Sequence, residues 1–235
     1  MGVAMRTSAY LKPAAPPWLV GLAGVLMMIS LYLIFIWVPM ERTMGVVQRI
    51  FYFHVPSAFV AFIAFTIGGI ASIQYLATRK NNYDDLSVAA NEVGLLFAVV
   101  NLLTGMLWAR PVWGVYWAWD ARLTTMLLLA LIYFAYLILR QSVVEPTQRA
   151  VVCAVTSIFG MVDIPIVYMA NQWWRTQHPA PVLSGEGSID PRMRFVLYFS
   201  TFALLSVFWI LVRMRRRIED LRREADGLRR EVHAL

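Results

Sequence analysis

One cysteine, three histidines and two lysines are all that 235 residues contain of those types, and charged side chains make up only 15% of the chain. A lone Cys153 closes no internal disulfide and forms no Cys-x-x-Cys redox pair, so thiol chemistry of its own is excluded. The chain also lacks a Gly-x-x-x-x-Gly-Lys-Ser/Thr sequence, which removes nucleotide hydrolysis by a phosphate-cradling loop. No nucleophile with an adjacent base stands out either, and the reading is of a protein without its own catalytic turnover.

What is abundant is apolar. Hydrophobic residues make up 60% and the mean hydropathy is +0.61, beyond the range of a soluble domain. Six runs are long enough to span a bilayer of about 30 Å: Trp18 to Val38, Val55 to Thr78, Ala89 to Trp108, Leu123 to Leu139, Ala150 to Ala170 and Phe195 to Val212. The expectation is an all-α polytopic membrane protein with six transmembrane helices. The first run spans about 21 residues against about 7 to 15 for a signal peptide's apolar region, so it reads as a retained helix.

The net charge of +7 does not point to nucleic acid, because eight basic residues crowd into the last 23 positions, directly behind an apolar run. Cytoplasmic anchoring explains them, and no nucleic-acid partner is expected. With both termini inside, the inner segments carry 14 Lys and Arg and the outer ones 7. Residues 1–212 are expected as a six-helix membrane domain and 213–235 as a basic amphipathic cytoplasmic tail touching membrane lipid or its own complex. In that tail Ile218, Leu221, Ala225, Leu228, Val232 and Leu235 alternate at spacings of three and four, a short heptad seam. The inner loops "RKNNYDDLS" and "RQSVVEPTQR" read as short, polar and without a catalytic constellation.

The outer loops carry the chemistry. "ARPVWGVYWAWDARLT", Ala109 to Thr124, places Trp113, Trp117, Trp119 and Asp120 within eight residues. Taken as interfacial helix, it puts Trp113, Trp117 and Asp120 on one face, with Gly114 leaving room for a planar ligand to approach the backbone. A plain aromatic belt at the membrane boundary is the competing reading. His54 and His178 fall on the same outer side, and two imidazoles across a gap suit both axial positions of haem iron. Zinc fits poorly, since two histidines fall short of its usual ligand count. Haem propionates would call for arginine, and Arg49, Arg110, Arg122 and Arg175 are all outer-side candidates. Asp163, inside the fifth run, is an intramembrane carboxylate that must face protein or water, and Asn101 and Thr104 read as interhelical hydrogen-bonding groups.

"WGVYWAWDARLT" resembles the WGxxWxWD signature of the haem-handling membrane proteins of cytochrome c assembly, and its "ARLT" continuation resembles the CcmC branch, haem exporter protein C. The lyase and synthetase branches continue with "DP", which is absent here. The resemblance covers most of the chain. It implies His54 and His178 as axial ligands of non-covalently held haem b. Trp108, Trp113, Gly114, Trp117, Trp119 and Asp120 would form the platform, with Arg122 and Arg49 orienting haem or its acceptor. It further implies a multi-pass protein of the bacterial inner membrane with a periplasmic site. Such a protein delivers haem to the chaperone CcmE in an ABC-type complex with CcmA, CcmB and CcmD. A haem lyase and a permease subunit of a haem exporter are the alternatives.

Overall fold

The computed structural model describes residues 13–178 and 189–233; the expected roles of Arg6, Lys12 and Leu235 lie outside them. Six helices follow one another, and no strand occurs among the described residues. α1, Pro17–Tyr32, continues as a π-helical turn through Trp37. A 3-10 turn, Val46–Ile50, leads into α2, Phe51–Thr78. Then come α3, Asn81–Trp113, α4, Ala121–Ser142, α5, Pro146–Trp173, and α6, Pro191–His233. All six are long and apolar enough to cross a membrane.

Sequence punctuation sets several ends. α2 stops at Arg79, which adopts the left-handed conformation at φ 57°. α5 starts at Pro146, a favoured first helical residue, behind Glu145, whose carboxylate caps the amides of Thr147 and Gln148. Those two amide hydrogen bonds hold the exposed Glu145 carboxyl below the usual carboxylate range.

The helices outrun their apolar cores. α3 begins eight residues before the expected Ala89 and carries Asp84 and Asp85 into the bundle, both nearly fully buried. The "RKNNYDDLS" stretch is therefore largely helix rather than loop. Arg140 grips Asp84 with two hydrogen bonds of 2.7 and 2.9 Å, and Arg223 bonds both Asp84 and Asp85. Arg215 pairs with Glu92 and Glu219. Apolar periodicity carries no sign of this network, because it is written in charges beyond the hydrophobic runs. It also pulls the basic tail onto the bundle: α6 runs unbroken through residue 213, with Arg215, Glu219 and Arg223 turned inward. Of the heptad seam, Ile218, Leu228 and Val232 are exposed.

α2 lies at the centre, against α3, α5 and α6, while α1 packs mainly on α6, joined by a Ser30–Ser200 hydrogen bond of 3.0 Å. Small residues let α2 and α3 close up. A Cβ on Gly94 would meet Phe65 and Ala64 at 2.8–2.9 Å, so this contact admits nothing larger. The core that results, around Val60, Phe65, Leu129 and Tyr133, fixes the four helices that surround the site.

Candidate functional site: an aromatic-walled cavity with two histidines

α3 ends at Trp113 because Gly114 takes φ +79°, a conformation costly for any side chain but natural to glycine. Beyond it, residues 114–120 are irregular, not the interfacial helix expected from the spacing of Trp113, Trp117 and Asp120. Arg110 donates to the Gly114 carbonyl and lies 5.7 Å from the Tyr116 ring, which braces the turn. Gly114 thus serves the chain reversal, and it does not border the cavity described next.

Between α2, α3, α4 and α5 lies a cavity of about 1010 Å³, its open mouth included. His54 comes to it from α2 and His178 from the segment after α5; their ring centroids are 6.5 Å apart and the rings are tilted by 32°. Trp108, Trp113 and Trp117 wall the same space, and Arg122 is the one permanently charged lining residue among the described residues. Trp108 meets the His54 ring edge-on at 5.7 Å. Deeper in, Ala58, Phe59, Phe62, Leu102 and Met126 make the lining apolar.

Of the other expected site residues, Trp119 is 79% exposed and packs edge-on against Trp117 instead of facing the cavity. Arg49 sits over the Phe35 ring at 5.9 Å and does not line it. Arg175 is exposed, whereas Arg122 donates to Asn171 Oδ1 at 2.7 Å and is held at the cavity wall. The structure therefore distinguishes four arginines that the sequence left equivalent.

Asp120 does not present a free polar edge. It caps α4 by accepting from the Arg122 amide at 3.0 Å, and its other oxygen accepts from the Gln177 amide at 2.9 Å. Thr176, which donates to Asp120, in turn accepts from the His178 amide at 3.0 Å. Asp120 is thus the tie that fastens the His178 segment beside the tryptophans. Burial acts to raise its pKa, but the Thr176 hydroxyl, the Gln177 and Arg122 amides and nearby His178 outweigh it and hold the carboxyl below the usual range. A depressed carboxyl contributes stability above its ordinary pKa of about 3.9 and loses it as pH falls through the folded-state value. The tie therefore holds at neutral pH and is lost only as pH falls below the ordinary carboxylate range. Asp120→Ala is expected to remove about 1 kcal/mol of capping and to speed amide exchange at 174–178, read by hydrogen–deuterium exchange mass spectrometry.

His54 is oriented from α3. Its Nδ1 lies 3.0 Å from the Asn101 carbonyl and 3.3 Å from Thr104 Oγ1, and Asn101 Nδ2 donates to the His54 carbonyl at 2.9 Å. A ring nitrogen that donates to a carbonyl fixes the tautomer and leaves Nε2 with its lone pair for a metal. Gly105 is what lets the ring lie there, since a Cβ would come 2.9 Å from His54 Cε1. Nothing in the residue pattern marks Gly105; its position one turn from Asn101 on α3 was the only clue. Two cavity-wall donors, Trp108 Nε1 and Trp117 Nε1, are buried and have no hydrogen-bond partner among the described residues. Buried N–H groups without partners call for an explanation, and a bound acceptor supplies one.

Fold and site together define a helical membrane protein with a largely apolar, tryptophan-walled cavity and an imidazole pair. Comparison with known proteins narrows this class. The family described as "Heme exporter protein C", CcmC, matches residues 4–231. "Heme exporter protein C" of Bradyrhizobium diazoefficiens is 35% identical over 214 residues, covering 90% of this chain and 81% of the relative. That of Paracoccus denitrificans is 31% identical over 231 residues, covering 95% and 92%, and that of Escherichia coli K12 is 30% identical over 204, covering 86% and 83%. The chain belongs to the heme exporter protein C family.

Proposed function

We propose that this protein binds haem b non-covalently as cargo in the cavity and passes it to the chaperone CcmE during maturation of c-type cytochromes. It works with CcmA, CcmB and CcmD in the bacterial inner membrane and forms no covalent bond to haem itself. The observation that carries this reading is the His54–His178 pair, 6.5 Å between centroids, inside a wall of indoles. Metal–imidazole bonds of about 2 Å on each side of one iron are compatible with that spacing.

The residues divide the work. His54 and His178 hold the iron; Trp108, Trp113 and Trp117 cover the macrocycle and exclude water; Arg122 and the two indole N–H groups meet the propionates. Asp120 positions the segment that carries His178. Because His178 comes from an irregular segment rather than a helix, it is the ligand that can swing away when cargo leaves. The basic tail supports an orientation with both termini in the cytoplasm and the cavity toward the periplasm. An external energy source must come from the ATPase subunit, as this chain has no phosphate-cradling sequence.

The test uses purified protein loaded with haem in lipid nanodiscs. A low-spin optical spectrum is expected, and mixing with CcmE should move the haem absorbance to the chaperone. High-spin haem, or haem that never leaves for CcmE while the chaperone accepts it from the assembled complex, would refute the reading.

A further inference from the structure

Asp163 is 7% exposed, and its Oδ2 has no hydrogen-bond partner among the described residues. It stands 17 residues from the start of α5 and 10 from its end, about 26 and 15 Å along the axis, hence well within the apolar span. No ion pair among the described residues involves it. On α4, which packs against α5, Tyr133 is close enough to interact with Asp163 electrostatically. On α2 the groups that can titrate are Tyr52, His54 and Tyr75, and on α3 they are Tyr83, Asp84, Asp85, Glu92 and the cation Arg110. An isolated carboxylate in hydrocarbon is costly enough that such a residue must be neutral, hydrated or both.

Polar groups lead to it from the charged end. On α3, Asp84, Ser87 and Asn91 follow at helical spacing, and all are buried. Ser87 Oγ meets Ser72 Oγ at 2.8 Å; Asn91 Nδ2 donates to Ser87 Oγ at 3.2 Å and to Ser157 Oγ at 2.8 Å. The Tyr133 hydroxyl donates to the Ser157 carbonyl at 3.1 Å. Ser157, Gly160 and Asp163 then share one face of α5.

Two glycines make this file possible. A Cβ on Gly68 would land 1.9 Å from Asn91 Oδ1, and one on Gly160 would land 2.7–2.8 Å from the Tyr133 ring and 3.0 Å from its hydroxyl. Tyr136, also fully buried, has its hydroxyl beside the Asn91 side chain but makes no hydrogen bond of full geometry among the described residues. Unsatisfied groups at membrane depth call for internal water, which needs polar partners of this kind. The file ends under the cavity floor, since Val167, one turn beyond Asp163, lines it.

We propose that Asp163 is a proton-exchanging carboxylic acid, served from the charged end of the bundle by an internal file of serine, asparagine and tyrosine groups and water. The proton moves as H⁺ between Asp163 and the aqueous phase at that end, with no other reactant. The proposal is independent of what the cavity holds, and ligand-free protein suffices to test it.

Infrared spectroscopy of the ligand-free full chain in nanodiscs reads the protonated carboxyl band and its shift on transfer to D₂O. Wild type is expected to show a band that Asp163→Asn removes and that exchanges within minutes. Asn91→Leu, and the milder Ser157→Ala, should slow that exchange about tenfold while leaving the helical circular dichroism unchanged. No Asp163-dependent band would overturn the proposal, as would unchanged exchange in a Ser157→Ala protein that folds.

Discussion

His54→Ala is expected to lower haem affinity by more than about 100-fold, because even residues that only orient a metal's histidine cost 10–100-fold when removed. Added imidazole should restore the low-spin spectrum, since the substitution leaves a void of matching shape beside Gly105. A merely structural role would give no such rescue. His178→Ala should weaken binding as well, but with a larger rise in the rate of haem loss, because its segment is irregular and tied down through Asp120 and Thr176. The measurement is haem titration followed by optical absorbance, with dissociation timed against an excess of a soluble haem scavenger.

The second large effect lies at the opposite end of the bundle. Arg140 and Asp84 are 11% and 6% exposed at their side chains, so each charge depends on the other for what water would have supplied. Removing one partner of a buried pair costs about 3–5 kcal/mol, and the remaining Arg223–Asp84 contact should keep Arg140→Met near the lower figure. The double variant Arg140→Met/Asp84→Leu should be less destabilised than the sum of the singles, because it leaves no orphaned charge. Thermal unfolding of the four proteins in one detergent measures the coupling. Haem binding should survive these changes at temperatures where the protein stays folded, since the cluster is remote from the cavity.

The pair of effects shows what residue order could disclose. Apolar runs revealed six helices, since a bilayer demands about 20 apolar residues for each crossing. They could not reveal the first turns of α3 or the inward face of the tail, because Asp84, Asp85, Arg215 and Arg223 look solvated until a partner from another helix is seen. The tryptophan segment was legible as a special place but not in shape: Gly114 breaks the helix, so helical spacing wrongly grouped Asp120 with the indoles. Trp119 and Arg49 fell outside the cavity for a similar reason, as side-chain direction past a turn is set by tertiary contacts. The convergence of His54 and His178 rests on 123 intervening residues and on the Asp120–Gln177 hydrogen bond, neither of which spacing conveys. Asn101 and Thr104 were recognisable as hydrogen-bonding groups, yet that they grip His54 is a fact of packing.

Electron–nuclear double resonance of the ferric haem-loaded protein, produced with ¹⁵N-labelled histidine, tests the central claim most directly. Two axial imidazole nitrogens of comparable coupling are predicted, falling to one in His54→Ala and to one in His178→Ala. A wild-type spectrum with a single histidine nitrogen, or one that neither substitution alters, would contradict the account.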